Sequence, residues 1–177
     1  MTRVRAAIRR FVGNARGAVA IEFALILPVM VVMLTGLIEL SYLMMAERRV
    51  SGAAHSTADL IGQSTDLTSS DLSDIFSAAA LIMAPFDTAN LTIGVSSVRF
   101  DDDTGDPSQD WSSAYNGGAV SNPTTLATGM GEAGTSVIIV TASYTYQPIL
   151  NAILSGPYTL SETAITRPRY LDYVGYY

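Results

Sequence analysis

Residues 17–46 read GAVAIEFALILPVMVVMLTGLIELSYLMMA, and their reading decides what kind of protein this is. From Phe23 to Ile38 no residue is charged, and across the whole stretch only Glu22 and Glu39 carry charge. A helix rises about 1.5 Å per residue, so roughly 20 residues cross a bilayer core of about 30 Å. The stretch is long enough to span a membrane and continue beyond it. A carboxylate inside an apolar membrane helix costs on the order of 2.5–3.5 kcal/mol on insertion scales, which makes Glu22 a functional-site candidate. The competing reading keeps Glu22 close enough to the headgroups to stay hydrated. Glu39 lies about 32 Å along the helix from Ala18 and is expected at the outer interface, with no special role. Pro28 removes one backbone hydrogen bond inside the span. It either sets a bend that serves packing or extraction, or is a proline that membrane helices tolerate.

The charges of the 177-residue chain are divided around this stretch. Arg3, Arg5, Arg9, Arg10 and Arg16 precede it, and no acid does. All sixteen acids follow Gly17, against five further arginines, so the remainder sums to 5 − 16 = −11. The positive-inside rule then places the N-terminus in the cytoplasm and the acidic remainder outside. An acidic outer domain argues against nucleic acid as a partner, because phosphate binding needs a basic face. There is no cysteine, which removes disulfides and thiol chemistry from consideration.

Three readings fit Met1–Gly17, MTRVRAAIRRFVGNARG. A secretory signal peptide needs a shorter apolar run and a small-residue cleavage site. A plain signal anchor makes Gly17 only a flexible residue before a helix. A prepilin-type leader is short and basic, and ends in glycine. Cleavage after Gly17 would leave Ala18 first and Glu22 at the fifth mature position.

The run Gly17-Ala-Val-Ala-Ile-Glu22-Phe-Ala-Leu-Ile-Leu-Pro28 resembles the start of the TadE/TadG-like pseudopilins of tight-adherence pilus systems. Ala142-Ser-Tyr-Thr-Tyr-Gln-Pro148 and Leu160-Ser-Glu-Thr-Ala-Ile-Thr-Arg-Pro-Arg169 are similar to the last two strands of that family. The resemblance implies a minor pilin or pseudopilin, cut by a prepilin peptidase between Gly17 and Ala18. Its partners would be other pilins, the pilus assembly platform and membrane lipid. It also implies residence in the inner membrane as a single-pass protein, with the C-terminal domain in the periplasm or carried into the extracellular fibre. In a stack of such helices, Glu22 could face the Ala18 amine of a neighbour and set axial register, since pairing in a low dielectric offsets part of the burial cost.

Beyond the membrane, Leu43, Ala46, Val50, Ala53, Ala54, Thr57, Leu60 and Ile61 keep helical spacing. One helix is expected to about residue 62, lipid-facing at 18–46 and packed on a soluble domain after that. A second helix is expected at about 69–84, with Thr68 or Ser70 as N-cap, Asp71 and Asp74 in its first turn, and Pro85 at its end. Strands follow at about 91–100, 110–115, 135–146 and 158–167. The first shows a slip near Ser96 and Ser97 that suggests a bulge. The third has the continuous apolar run of a central strand. Asn116–Gly134 reads as a long loop and Ile149–Leu154 as a helical turn. Helices first and strands later make an α+β fold, with an antiparallel sheet of three or four strands on the outer half of the long helix, pilin-like in outline.

Catalytic signals are lacking. His55 is the single histidine, without cysteine or a second histidine to complete a transition-metal site, and is expected half-buried in the helix. No nucleophile-elbow or phosphate-loop pattern occurs, so the reading is not an enzyme and calls for no cofactor. Asp101, Asp103 and Asp106, around Gly105, offer hard oxygen ligands of the kind calcium takes, but lack the EF-hand spacing. The alternative is a solvated acidic turn. The tyrosine-rich end, Tyr170–Tyr177, either forms a contact surface, folds back on the sheet edge or is disordered. Two rivals to the pilin reading stand: an uncleaved, signal-anchored scaffold or binding protein, and a membrane-anchored sensor of calcium or a surface ligand.

Overall fold

The computed structural model describes residues 15–149 and 153–177. Helix α1 runs Ala15–Gly62, without a break at Pro28. A two-residue strand β1 (Asp66–Leu67) leads into helix α2 (Ser69–Ile82). A single 3₁₀ turn, Thr88–Asn90, precedes strand β2 (Leu91–Phe100) and strand β3 (Pro107–Tyr115). A short helix α3 (Pro123–Ala127) separates these from β4 (Ser136–Tyr146), β5 (Tyr158–Thr166) and a final two-residue strand β6 (Gly175–Tyr176). The main sheet is antiparallel in the order β3-β2-β4-β5, and β1 pairs with β6 in parallel. The fold is α+β, with one membrane-length helix, a second helix and a four-stranded sheet.

The chain divides into two compact units. One reaches to Ser41 and includes Pro148–Ser155; the other holds Tyr42–Gln147 and Gly156–Tyr177.

Both central strands are buried on both faces. On one face, Leu91, Ile93, Val95, Ile138, Val140, Ala142 and Ala164 cluster with Ala46, Val50, Ala53, Ala54, Ala58 and Ile61 of α1 and Leu72, Phe76 and Ala79 of α2. On the other, Val98, Phe100, Val137 and Ile139 pack with Ala127 of α3, and Val120 and Ile165 border them. The 116–134 segment, expected as a plain loop, therefore contains a short helix and covers part of the sheet's second face. Its glycines allow close approach. A Cβ on Gly94 would stand 2.5 Å from the Ala119 carbonyl carbon, and one on Gly131 would stand 2.1 Å from the Phe100 ring.

This two-sided burial accounts for the slip expected in β2. The strand stays in continuous register with β4 from Leu91–Tyr144 to Arg99–Ser136. Its apolar residues move from odd to even positions because helices cover one face near Leu91 and the 116–134 segment covers the other near Phe100. The bulge lies across from it, in β3: Ser97 pairs with Trp111 and Val98 with Gln109, which leaves Asp110 as the extra residue. β3 itself starts at Pro107, earlier than residue 110, because β2 supplies partners down to Phe100.

α2 starts at the Thr68 cap, where Thr68 Oγ1 accepts from Asp71 N at 3.3 Å and Asp71 Oδ2 accepts from Thr68 N at 2.8 Å. It ends at Ile82 and not at 84, with the Met83 N–H turned onto the Ala80 oxygen at 3.1 Å and the Ala84 N–H onto the Leu81 oxygen at 3.3 Å. Ala84 precedes Pro85, and a residue before proline is disfavoured in the helical region.

The tyrosine-rich end folds back. Trp111 Nε1 donates to Val174 O at 2.9 Å, the Tyr176 ring lies 5.3 Å from Trp111, and Arg99 stacks 4.5 Å over Tyr173. Sequence alternation did not signal β6, since a two-residue strand is too short to show a period.

Candidate functional site

The residues singled out in the sequence fall along the first half of α1. Gly17 and Ala18 both lie within the helix, and a Cβ on Gly17 would meet nothing within 4 Å. The leader segment Met1–Asn14 lies outside the described residues. From Ala18 through Leu34 every side chain is exposed, Glu22 and Pro28 included. This is a helix long and apolar enough to cross a membrane once, presenting its apolar surface outward. Pro28 costs its own backbone hydrogen bond, yet the helix continues through it.

Glu39 departs from expectation. It is fully buried, and its Oε2 accepts from the backbone N–H of Leu154 at 3.1 Å. One turn earlier, Gly36 is approached so closely that an added Cβ would stand 2.7 Å from Ile153 Cδ1. The partner is the β4–β5 connection, Gln147–Pro157, whose Pro148–Ser155 stretch belongs to the same compact unit as the first half of α1. The helical turn expected at Ile149–Leu154 falls partly on Leu150–Ala152, outside the described residues. A signal for this contact was present: an uncharged aliphatic run, Ile149-Leu-Asn-Ala-Ile-Leu154, where a hairpin connection ordinarily carries turn residues.

Other candidates resolve differently. His55 is exposed, not half-buried, with Nε2 3.5 Å from Glu162 Oε1. Ala54 and Thr57 take the buried stripe instead. Asp101 Oδ1 is occupied within its own turn, accepting from Thr104 N at 2.8 Å, Asp103 N at 3.0 Å and Thr104 Oγ1 at 3.1 Å. These bonds, the Thr104 N–H foremost, hold its carboxyl below the usual carboxylate range. Asp102 lies 3.5 Å from Arg99 Nη2. Among the described residues, no three His, Asp or Glu side chains are grouped so as to hold a metal ion, so Asp101, Asp103 and Asp106 are not brought together as a ligand set.

The arginines of the Leu160–Arg169 run hold the end of α1 and the 116–134 segment. Arg169 pairs with Asp59, and its backbone N donates to Gly62 O at 2.8 Å. Arg167 Nε donates to Met130 O at 3.0 Å.

α1 thus presents an exposed apolar surface from Gly17 onward, carries a carboxylate at residue 22 and continues into a buried alanine stripe. Residues 17–59 match the family model of TadE-like proteins. The TadE-like segment thus begins at Gly17 and takes in both the membrane-length half of α1 and most of its packed half. It stops before β1, so the sheet and the Ala142–Pro148 and Leu160–Arg169 runs lie outside it. No curated protein and no solved structure matches the chain.

Proposed function

We propose that the protein is a minor pilin or pseudopilin of a tight-adherence pilus system, acting by assembly and not by catalysis. In this reading it is made as a precursor, with α1 crossing the inner membrane, the arginine-rich N-terminus in the cytoplasm and the acidic sheet domain in the periplasm. The observation that carries it is the TadE-like match, which opens on the glycine after which a prepilin peptidase would cut. Cleavage would leave the Ala18 amine one helical turn from Glu22, both on the exposed surface of α1. Neighbouring subunits could then pair Glu22 with that amine inside the bilayer, where an unpaired carboxylate is expensive. Other pilins and the assembly platform are the partners this implies, and Pro28 is the place for the helix to bend during extraction.

The test is the N-terminus of the protein recovered from its own membranes, by intact mass. An N-terminus at Ala18, lost when Gly17 is replaced, supports the precursor pathway. An N-terminus at Met1 or Thr2 would remove the amine that Glu22 is meant to face, and would leave an anchored scaffold as the better description.

A further inference from the structure

We propose that Ile149, Ile153 and Leu154, in the β4–β5 connection, make a second membrane contact of this chain. Their side chains would form an apolar wedge in the bilayer beside the C-terminal end of the α1 span, held there by Glu39. The inference rests on α1 crossing the membrane.

Four observations converge. First, no charged residue occurs from Gln147 to Pro157, and Ile149, Ile153 and Leu154 supply three large aliphatic side chains among the described residues of that short stretch. Second, Ile149 is 60% exposed and Ile153 48% exposed, so this apolar surface is not used up in covering the protein's own core. Exposed aliphatic clusters of this kind mark contact surfaces. Third, Ile153 sits against Gly36, where the missing side chain makes room for it. Gly36 lies about 27 Å along the helix from Ala18, within the last turns of a bilayer-length span. Fourth, the Leu154 N–H is satisfied by the buried Glu39 carboxylate.

The last point has a physical logic. Irregular backbone is tolerated at membrane depth only where protein groups satisfy it, and an intramembrane carboxylate persists only where it has partners. The Glu39–Leu154 contact answers both requirements at this point of the chain: it satisfies the Leu154 N–H and gives the carboxylate a partner. The occupant that suits the outward aliphatic surface is lipid acyl chain, because the wedge is continuous with a helix whose exposed surface has the same apolar character.

The chain has no cysteine, so single substitutions carry a probe at one place only. The full chain, as Ile149→Cys or Ile153→Cys, is labelled with an environment-sensitive fluorophore and reconstituted into phosphatidylethanolamine–phosphatidylglycerol vesicles. The vesicles contain lipids spin-labelled at shallow or deep acyl positions. Val31→Cys, at mid-span, and Ser108→Cys, on exposed β3, are references. The proposal expects probes at 149 and 153 to be quenched by the shallow spin label, the probe at 31 by the deep one, and the probe at 108 by neither. Glu39→Ala should abolish shallow quenching at 153 and leave quenching at 31 intact, while Glu39→Gln, which retains an acceptor oxygen, should restore it.

Three results would overturn the idea. Probes at 149 and 153 that stay aqueous while the probe at 31 is quenched would mean that α1 spans and the connection does not insert. An unquenched probe at 31 would instead sink the membrane-spanning reading and the wedge with it. A blue shift at 149 and 153 that ignores spin-labelled lipid and fades as protein is diluted in lipid would assign the surface to a second copy of the chain.

Discussion

The two halves of α1 share one backbone conformation and meet opposite fates. In the first half Ile21, Leu25 and Leu34 are exposed, although they are among the most apolar residues of the chain. In the second half Ala46, Ala53 and Ala54 are fully buried, although alanine has little apolar surface to hide. Hydrophobicity alone therefore does not say which residues form a protein core. Size and spacing do. Small residues recurring on one face let the sheet and α2 approach the helix axis, whereas a helix ringed by large aliphatics has no face to pack and is suited to lipid.

The sharpest test of that contrast truncates one aliphatic residue in each half. Ile61→Ala should cost the folded domain about 2–5 kcal/mol, because it removes packing from a filled core. Leu27→Ala should leave domain stability unchanged. Denaturant unfolding of the detergent-solubilised chain, followed through the single tryptophan, Trp111, reads both. Equal losses would mean that the first half also packs on the domain.

Charge should invert the ranking. Val31→Arg is expected to oppose membrane insertion by about 2.5–3.5 kcal/mol while leaving domain unfolding untouched. Leu60→Arg, on the exposed side of the second half, should stay within about 0.5 kcal/mol in the same unfolding assay and not alter membrane fractionation. Added volume separates the halves next. Ala54→Leu should destabilise the domain by about 1–3 kcal/mol through overpacking, and Ala24→Leu should not.

The smallest effect concerns α2, where a local signal and not burial sets the start. Thr68→Ala removes the cap and should cost about 0.5–2 kcal/mol. It should also change the acid limb of the stability curve. The Thr68 hydroxyl is the main cause holding the Asp71 carboxyl below its ordinary value of 3.8. A carboxyl with a depressed folded-state pKa contributes stability above its unfolded pKa, and that contribution disappears as pH falls through the folded one. Between the ordinary carboxylate range and more acid pH, the unmodified protein should therefore lose stability more steeply than Thr68→Ala. Parallel curves would show that the capping bond is not formed in solution.

Much of the architecture was legible because each element carries its own chemistry. An uncharged run longer than a bilayer, a helix start at Thr68 or Ser70 with acids in its first turn, and a continuous β-branched strand depend on neighbours in sequence. The Gly17–Pro28 run also pointed to the TadE-like family without reference to the fold. What stayed hidden depends on partners far along the chain. The residue shift in β2 looked like a bulge because alternation records which face is covered, and only the tertiary structure reveals that both are. His55 was misplaced because its helix position is one step off a stripe that only the sheet defines. Glu39 read as an ordinary interfacial carboxylate because its partner, the Leu154 N–H, is 115 residues away. Sequence by itself determined that this is a membrane-length helix leading into an α+β domain. Tertiary structure decided which carboxylate is buried, which loop carries a helix and where the tyrosine-rich end lies, because those outcomes are set by contacts that no local period encodes.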